Sequence, residues 1–246
     1  MYSIVTSLNK SIYESKHQVL INSVKKFCPN VDFYVYNENS YLNESLDIDG
    51  AINLDLFKEI KDLKSFLENS KFKDCHLIGK KNKEEYLNYP DRYLSVPDYW
   101  NRNSIFWFRK ICAYYHCSKI CKTPILIWLD ADMLIEKAID ENFLNFIKKY
   151  DVATIYRKNF KGWMFTDSGL IAFNLNHRGR FFIDSIFNFY KSGQVFSEYR
   201  WDDSYCIDIV IQKCREWLKA CGLNKIFGCD FDYEEYFFHN KGYRNG

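Results

Sequence analysis

The feature that most constrains this chain is the run Ile125-Leu126-Ile127-Trp128-Leu129, which opens after Pro124 and ends in Asp130-Ala131-Asp132. Five consecutive apolar residues without polar alternation suit a central strand buried on both faces of a sheet. Such a strand needs covering layers, so the chain is expected to be α/β. In an extended segment residues i and i+2 point the same way, so the two carboxylates are expected to share one target. A strand end at the carboxyl edge of a parallel sheet is where a ligand crevice forms. Two hard oxygen donors there suit Mg²⁺ or Mn²⁺, which take one or two carboxylates and complete their shell with substrate phosphates. The alternative for the acidic pair alone is a solvated strand end.

The opening of the chain supports the same architecture. Tyr2–Leu8 reads as a strand, residues 11–28 place Tyr13, Leu20, Ile21, Val24 and Phe27 on one helical face ended by Pro29, and Val31–Asn37 reads as a second strand. This β-α-β start predicts a parallel sheet with nucleotide-type binding at its carboxyl edge. Farther on, the pattern predicts a helix over Leu54–Leu67, a short strand at Cys75–Gly79, a loop bracketed by Pro90 and Pro97, and a helix capped by Ser104. Beyond Asp132 it predicts a helix near 141–149, strands over Asp151–Tyr156 and Gly169–Leu175, and helices near 177–191 and 203–221. No repeat or linker interrupts the chain, so one domain is expected, with a nucleotide-binding part over about 1–132 and an acceptor-side part over about 133–246.

Composition excludes several classes. With 34 Lys and Arg against 32 Asp and Glu, the formal charge of +2 gives no electrostatic reason to expect a nucleic acid or a membrane surface as partner. Four Pro and 10 Gly rule out collagen-like and linker-rich chains. The 124–129 run is far short of the roughly 20 apolar residues of a transmembrane helix, so no transmembrane segment is expected, and no secretory signal is visible. The 9 cysteines form no C-x-x-C pair. Cys206, Val210, Cys214, Trp217 and Cys221 make one stripe at helical spacing with Gly222 as its stop, which reads as small buried thiols in a reducing, cytoplasmic compartment. P-loop, G-x-G-x-x-G and G-x-S-x-G motifs are missing.

A second signal lies near the end, where His239, Lys241, Arg244 and Asn245 surround Gly242 after Phe237 and Phe238. A neutral imidazole ligates metal, and Lys or Arg neutralises a leaving diphosphate. A frayed basic tail is the plain alternative.

Together, Asp130-Ala131-Asp132 and His239-Asn240-Lys241-Gly242 resemble the D-x-D and late H-x-x-G motifs of the GT-A glycosyltransferases, most closely the glycogenin and galactosyltransferase-like (family 8-type) group. The strand Tyr2–Asn9 is similar to that group's first nucleotide-binding strand. Arg109 and Lys110 match its basic helix, Asp167–Leu175 looks like its N-x-G strand, and Trp201-Asp202-Asp203-Ser204 resembles its later acidic motif. Asp167-Ser168-Gly169 stands where Asn-x-Gly is common, and Arg244 where Lys-Pro-Trp is usual.

The resemblance implies a single GT-A domain with a mostly parallel central sheet, and a metal-dependent hexosyltransferase. It would move sugar from a nucleotide-diphospho-sugar, UDP-sugar favoured, to a hydroxyl of a glycan, protein or lipid-linked acceptor. It implies that Asp132 and His239 bind Mn²⁺ or Mg²⁺, with Asp130 touching the metal through water or the ribose. Lys241 or Arg244, beside Gly242, would stabilise the departing diphosphate. It further implies that Thr6, Ser7 and Asn37 hold base and ribose, that Arg109 and Lys110 serve the donor, and that Gly169 lets the sugar approach the backbone. Asp203 is then nearest the reacting carbon, with Asp202 and Asp167 behind it. Asp202 or Asp203 as a mere helix cap is the competing reading. The other functional readings are a non-catalytic nucleotide-sugar or glycan-binding protein and a D-x-D phosphatase of the haloacid-dehalogenase type. Leu134 and the mid-chain position of the motif count against the latter. Inverting and retaining outcomes both remain open, with the resemblance leaning towards retention.

Overall fold

The computed structural model describes residues 1–10, 13–14, 18–38, 46–68, 104–158, 164–198, 200–223 and 232–239. The expected strand at 75–79, the Pro90–Pro97 loop, and Lys241, Gly242, Arg244 and Asn245 lie outside them.

The strands are β1 (Ser3–Leu8), β2 (Asp32–Asn37), β3 (Ile52–Asp55), β4 (Ile125–Leu129), β5 (Met133–Ile135), β6 (Val152–Lys158), β7 (Met164–Asn174), β8 (Ala220–Gly222) and β9 (Phe237–His239). The helices are α1 (Gln18–Phe27), α2 (Leu56–Glu59), α3 (Lys61–Glu68), α4 (Ser104–Ile120), α5 (Glu141–Ile147), α6 (His177–Lys191) and α7 (Asp203–Cys214). Seven strands form one sheet in the order β3-β2-β1-β4-β7-β6-β8. β1 lies parallel to both β2 and β4, β2 to β3, and β6 to β8, whereas β7 runs antiparallel to β4 and β6. The sheet is therefore mostly parallel, with β7 reversed. It takes strands from both halves of the chain.

β4 is central and its five side chains are buried, as its unbroken apolar run requires. Its alternation divides them between two cores. Leu126 and Trp128 join Val5, Tyr36, Ile171 and Phe173 beneath α4, α6 and α7. Ile125, Ile127 and Leu129 join Ile4, Leu8, Val35 and Ala172 on the other face, beneath α1 and α5.

Three expectations need correction. The helix expected from Leu54 begins later: Leu54 belongs to the edge strand β3, and Asp55 caps α2 by accepting from the backbone N–H groups of Phe57 and Lys58. The helix expected to reach residue 221 stops at Cys214. Cys221 and Gly222 instead extend the sheet, because Asp151 receives the Lys219 N–H and draws the chain alongside β6. Finally, Asp130–Asp132 is no extended segment. The Met133 N–H bonds to the Asp130 carbonyl at 2.9 Å, closing a turn between β4 and β5.

Candidate active site

The β4–β5 turn sits at the carboxyl edge of the sheet and sends its two carboxylates to different partners. Asp130 Oδ1 accepts from Trp128 Nε1 at 2.8 Å and pairs with Lys110 Nζ at 2.7 Å. Asp132 Oδ1 lies 3.2 Å from His239 Nε2. β9 pairs antiparallel with β5, Met133 opposite His239, and this brings the imidazole back to the turn across 106 intervening residues. Its side chain is only 3% exposed. Nε2 is buried and, although 3.2 Å from the Asp132 oxygen, has no hydrogen-bond partner among the described residues.

Lys110, on α4, is a hub. Besides Asp130, its ammonium meets Asp203 Oδ2 at 2.8 Å and the Ser168 carbonyl at 2.7 Å. Burial alone would lower its pKa, and the two carboxylates more than offset that and hold it above the usual lysine value. Asp203 is 1% exposed. Burial pushes its carboxyl pKa up, and Lys110 opposes that. The neighbouring Asp202 is the N-cap of α7, accepting from the Tyr205 N–H at 3.1 Å, and its other oxygen takes Arg200 Nε at 2.8 Å. The competing cap reading therefore applies to Asp202. Trp201 is buried against Phe196 and donates to the Glu198 carbonyl, so it offers no open ring face at this edge.

Asp167, Ser168 and Gly169 lie where the β6–β7 register jumps: Thr154 faces Ile171, and the next residue, Ile155, faces Asp167. The irregularity frees this stretch of β7 to serve the site. Asp167 Oδ1 accepts from the Gly169 N–H at 3.0 Å, while Oδ2 pairs with Arg157 Nε and stands 3.6 Å from His239 Nδ1. The Gly169 carbonyl receives the Asp130 N–H at 2.7 Å. A Cβ on Gly169 would lie 2.5 Å from His239 Cε1, so the missing side chain makes room for the imidazole.

At the ends of β1 and β2, Ser7 Oγ donates to Glu38 at 2.5 Å. Burial raises the Glu38 pKa; Arg109 and Lys110 pull it down, and Asp130 pushes it up. Arg109 is buried and also lies near the Phe57 and Phe106 rings. Thr6 is fully buried, with its hydroxyl unpartnered among the described residues, and Asn37 is buried at the end of β2. Glu38 and Arg157 carried no sequence assignment. An acidic residue closing the second strand of a β-α-β unit is a usable ribose signal. Nothing in the sequence around Arg157 marks it.

Five carboxylates (Glu38, Asp130, Asp132, Asp167 and Asp203) thus gather with three fixed cations, Arg109, Lys110 and Arg157, and one imidazole. That excess of negative charge suits a divalent cation. Among the described residues no three His, Cys, Asp or Glu side chains form a ready-made metal cage.

Solved structures that match almost the whole chain include the glycosyltransferase GlyE of Streptococcus pneumoniae TIGR4 (TM-score 0.51, 12% identity, 91% of this chain) and mouse xyloside xylosyltransferase 1 in its apo form (TM-score 0.50, 14% identity, 89% of this chain). The fold is that of the GT-A glycosyltransferases. The match covers 83% of the mouse chain but 46% of GlyE, so this chain spans about half the length of the latter. No protein-family model and no curated protein sequence matches the chain. In the GT-A fold seen here, the D-x-D turn and His239 stand side by side at the carboxyl edge. Among the described residues no helix is long and apolar enough to cross a membrane.

Proposed function

We propose that this protein is a metal-dependent glycosyltransferase that moves sugar from a nucleotide-diphospho-sugar to a hydroxyl acceptor. The observation that carries the reading is His239 Nε2, buried, unpartnered and 3.2 Å from Asp132 Oδ1. An orphaned imidazole nitrogen facing a carboxylate fits a divalent cation of the Mn²⁺ or Mg²⁺ kind. Asp132 and His239 would hold it, with Asp130 behind them. When bound, the cation supplies neutralisation of the charge that develops on the departing diphosphate.

The chain's own residues then do the rest. Ser7 and Glu38 offer a hydroxyl and a carboxylate to the ribose, with Thr6 and Asn37 beside them. Arg109 offsets charge at the same place. Lys110 fixes Asp130, Asp203 and the Ser168 carbonyl as one unit, so that Asp203 stands ready for a sugar hydroxyl. Lys241 and Arg244 are proposed for the diphosphate on the resemblance alone. Asp130, Asp132, Asp167 and Asp203 each already face a cation or imidazole, and a free carboxylate base for the acceptor is what an inverting reaction needs. This supports retention. The likeness to mouse xyloside xylosyltransferase 1 supports a glycan acceptor, and UDP is the nucleotide favoured by the sequence resemblance. The described cysteines are free, and six of the seven are buried, which supports a reducing, cytoplasmic compartment.

Thermal unfolding with UDP, with and without Mn²⁺, tests the reading. At a ligand concentration about 100 times Kd, mass action adds about 2.7 kcal/mol, or roughly 5–10 °C in Tm for a chain of this length. The increment should vanish with a chelator and in His239→Ala. Equal stabilisation with and without metal would remove the cation. Slow release of UDP from a UDP-sugar separates a transferase from a binding protein that has kept the fold.

A further inference from the structure

The amino edge of the sheet, opposite the site described above, carries a surface of another kind. α5 and α7 end there and α6 begins there, because each joins a strand terminus on that edge. Between them lies a cleft of about 330 Å³ lined by Lys148, Lys149, His177, Arg178 and Lys219, together with Asp151 and Asn176. The four Lys and Arg side chains are exposed, and among the described residues none has a carboxylate partner. Asp151 is buried, and both its oxygens are taken, Oδ1 by Asn176 Nδ2 and Oδ2 by the Lys219 N–H, each at 2.8 Å. His177 aside, four cations against one carboxylate leave the cleft at +3. The formal charge of +2 for the whole chain does not reveal this local excess.

Beside the cleft stands an aromatic pair. Phe181, one helical turn beyond Arg178, is 51% exposed. It packs edge-on to Trp217, two residues before Lys219, with ring centroids 5.0 Å apart. Glu216, also exposed, is the acidic neighbour of this pair in sequence. Exposed cations next to an outward Phe and a Trp match what an anionic bilayer offers, namely a negative surface potential and an interfacial layer that accepts rings. A single-stranded nucleic acid draws instead on successive stacking platforms along a groove, whereas among the described residues Phe181 is the one strongly exposed ring beside these cations.

We propose that this edge docks on a membrane surface rich in anionic phospholipid, through Lys148, Lys149, Arg178 and Lys219 with Phe181 and Trp217 at the interface. The candidate active site then opens away from the lipid, about 16 Å distant across the five residues of β4. The inference is independent of the chemistry proposed for that site.

Sedimentation of the full chain with vesicles of phosphatidylcholine, alone or with roughly one-third phosphatidylserine, is the test. Binding should need phosphatidylserine and weaken steeply as salt rises from about 0.05 to about 0.5 M. Lys149→Gln/Arg178→Gln should lower affinity roughly 25-fold, about fivefold for each charge at the surface. Phe181→Ala should weaken binding while leaving the salt dependence in place. Unchanged Tm and unchanged UDP stabilisation confirm that the variants are folded. Equal binding to neutral vesicles, or full binding by the double variant, overturns the proposal. So does tighter binding of a single-stranded oligonucleotide than of vesicles, or a dimer in solution that Phe181→Ala dissociates, each of which hands the face to another partner.

Discussion

Replacing Lys110 by Met tests whether the acidic cluster is held together by one buried cation. The ammonium lies within 2.8 Å of both Asp130 and Asp203, and its side chain is 6% exposed. Methionine fills much the same volume and leaves Asp203, at 1% exposure, as an unpaired buried carboxylate. Breaking a buried pair from one side costs about 3–5 kcal/mol. Asp130 is 32% exposed and recovers solvation, so the lower end applies. At roughly 2–4 °C per kcal/mol, Tm should fall by about 6–12 °C.

The sign of the pH dependence sharpens the test. The Asp203 pKa is already raised in the folded protein, so its contribution to stability is greatest where it is protonated and is lost as pH rises through that value. Without Lys110 the value moves up further, and the variant should lose more stability at pH 8 than at pH 5. Differential scanning calorimetry at the two pH values measures this directly. Adding Asp203→Asn should recover most of the loss at pH 8. Equal destabilisation at both pH values, or no recovery in the double variant, would refute the coupling.

Three further predictions concern neighbouring groups. In Gly169→Ala the new methyl must move the His239 ring by about 1 Å to reach an ordinary carbon–carbon separation. The metal-dependent increment in Tm should therefore shrink sharply and turnover should fall by roughly 10²-fold. A normal metal response would show that the ring's present position does not matter. Asp202→Ala should cost about 1 kcal/mol of stability and leave the rate per folded molecule nearly intact, as for a lost cap. Asp203→Asn should instead lower turnover by roughly 10²-fold with UDP affinity kept; transfer rate and Tm on the same preparations decide, and the reverse pattern would move the catalytic assignment off Asp203.

What could be read from the sequence was what local patterning controls. β4 is legible because burial on both faces leaves an unbroken apolar run, β1 and β2 because short β-branched and aromatic segments flank the first helical face, and the stripe Cys206–Val210–Cys214 marks the inner face of α7 correctly. Trp217 and Cys221 continue that stripe by coincidence, because the pull of Asp151 on Lys219, 68 residues apart, decides where the helix ends. The acidic turn and His239 were visible as residue types. Their division into Asp130 with Lys110 and Asp132 with His239 follows from a tight turn that an alternation argument does not see. Arg157 is placed by a partner ten residues on, across a register jump, and Glu38 by the end of a neighbouring strand. Such pairings belong to the assembled sheet.

The reversal of β7 bears on how the molecule is made. β4 has β1 on one side from early in synthesis, but its other neighbour ends 45 residues later, at Asn174. At ~5–20 residues per second, a growing chain carries an open strand edge of Ile-Leu-Ile-Trp-Leu for about 2–9 s. An unpaired, uncharged apolar edge of this kind is a template for intermolecular pairing. A fragment cut after Asp132 would keep that edge open permanently and should be recovered as aggregate, while strands β6–β8 alone would lack the neighbour that β7 is shaped to cover.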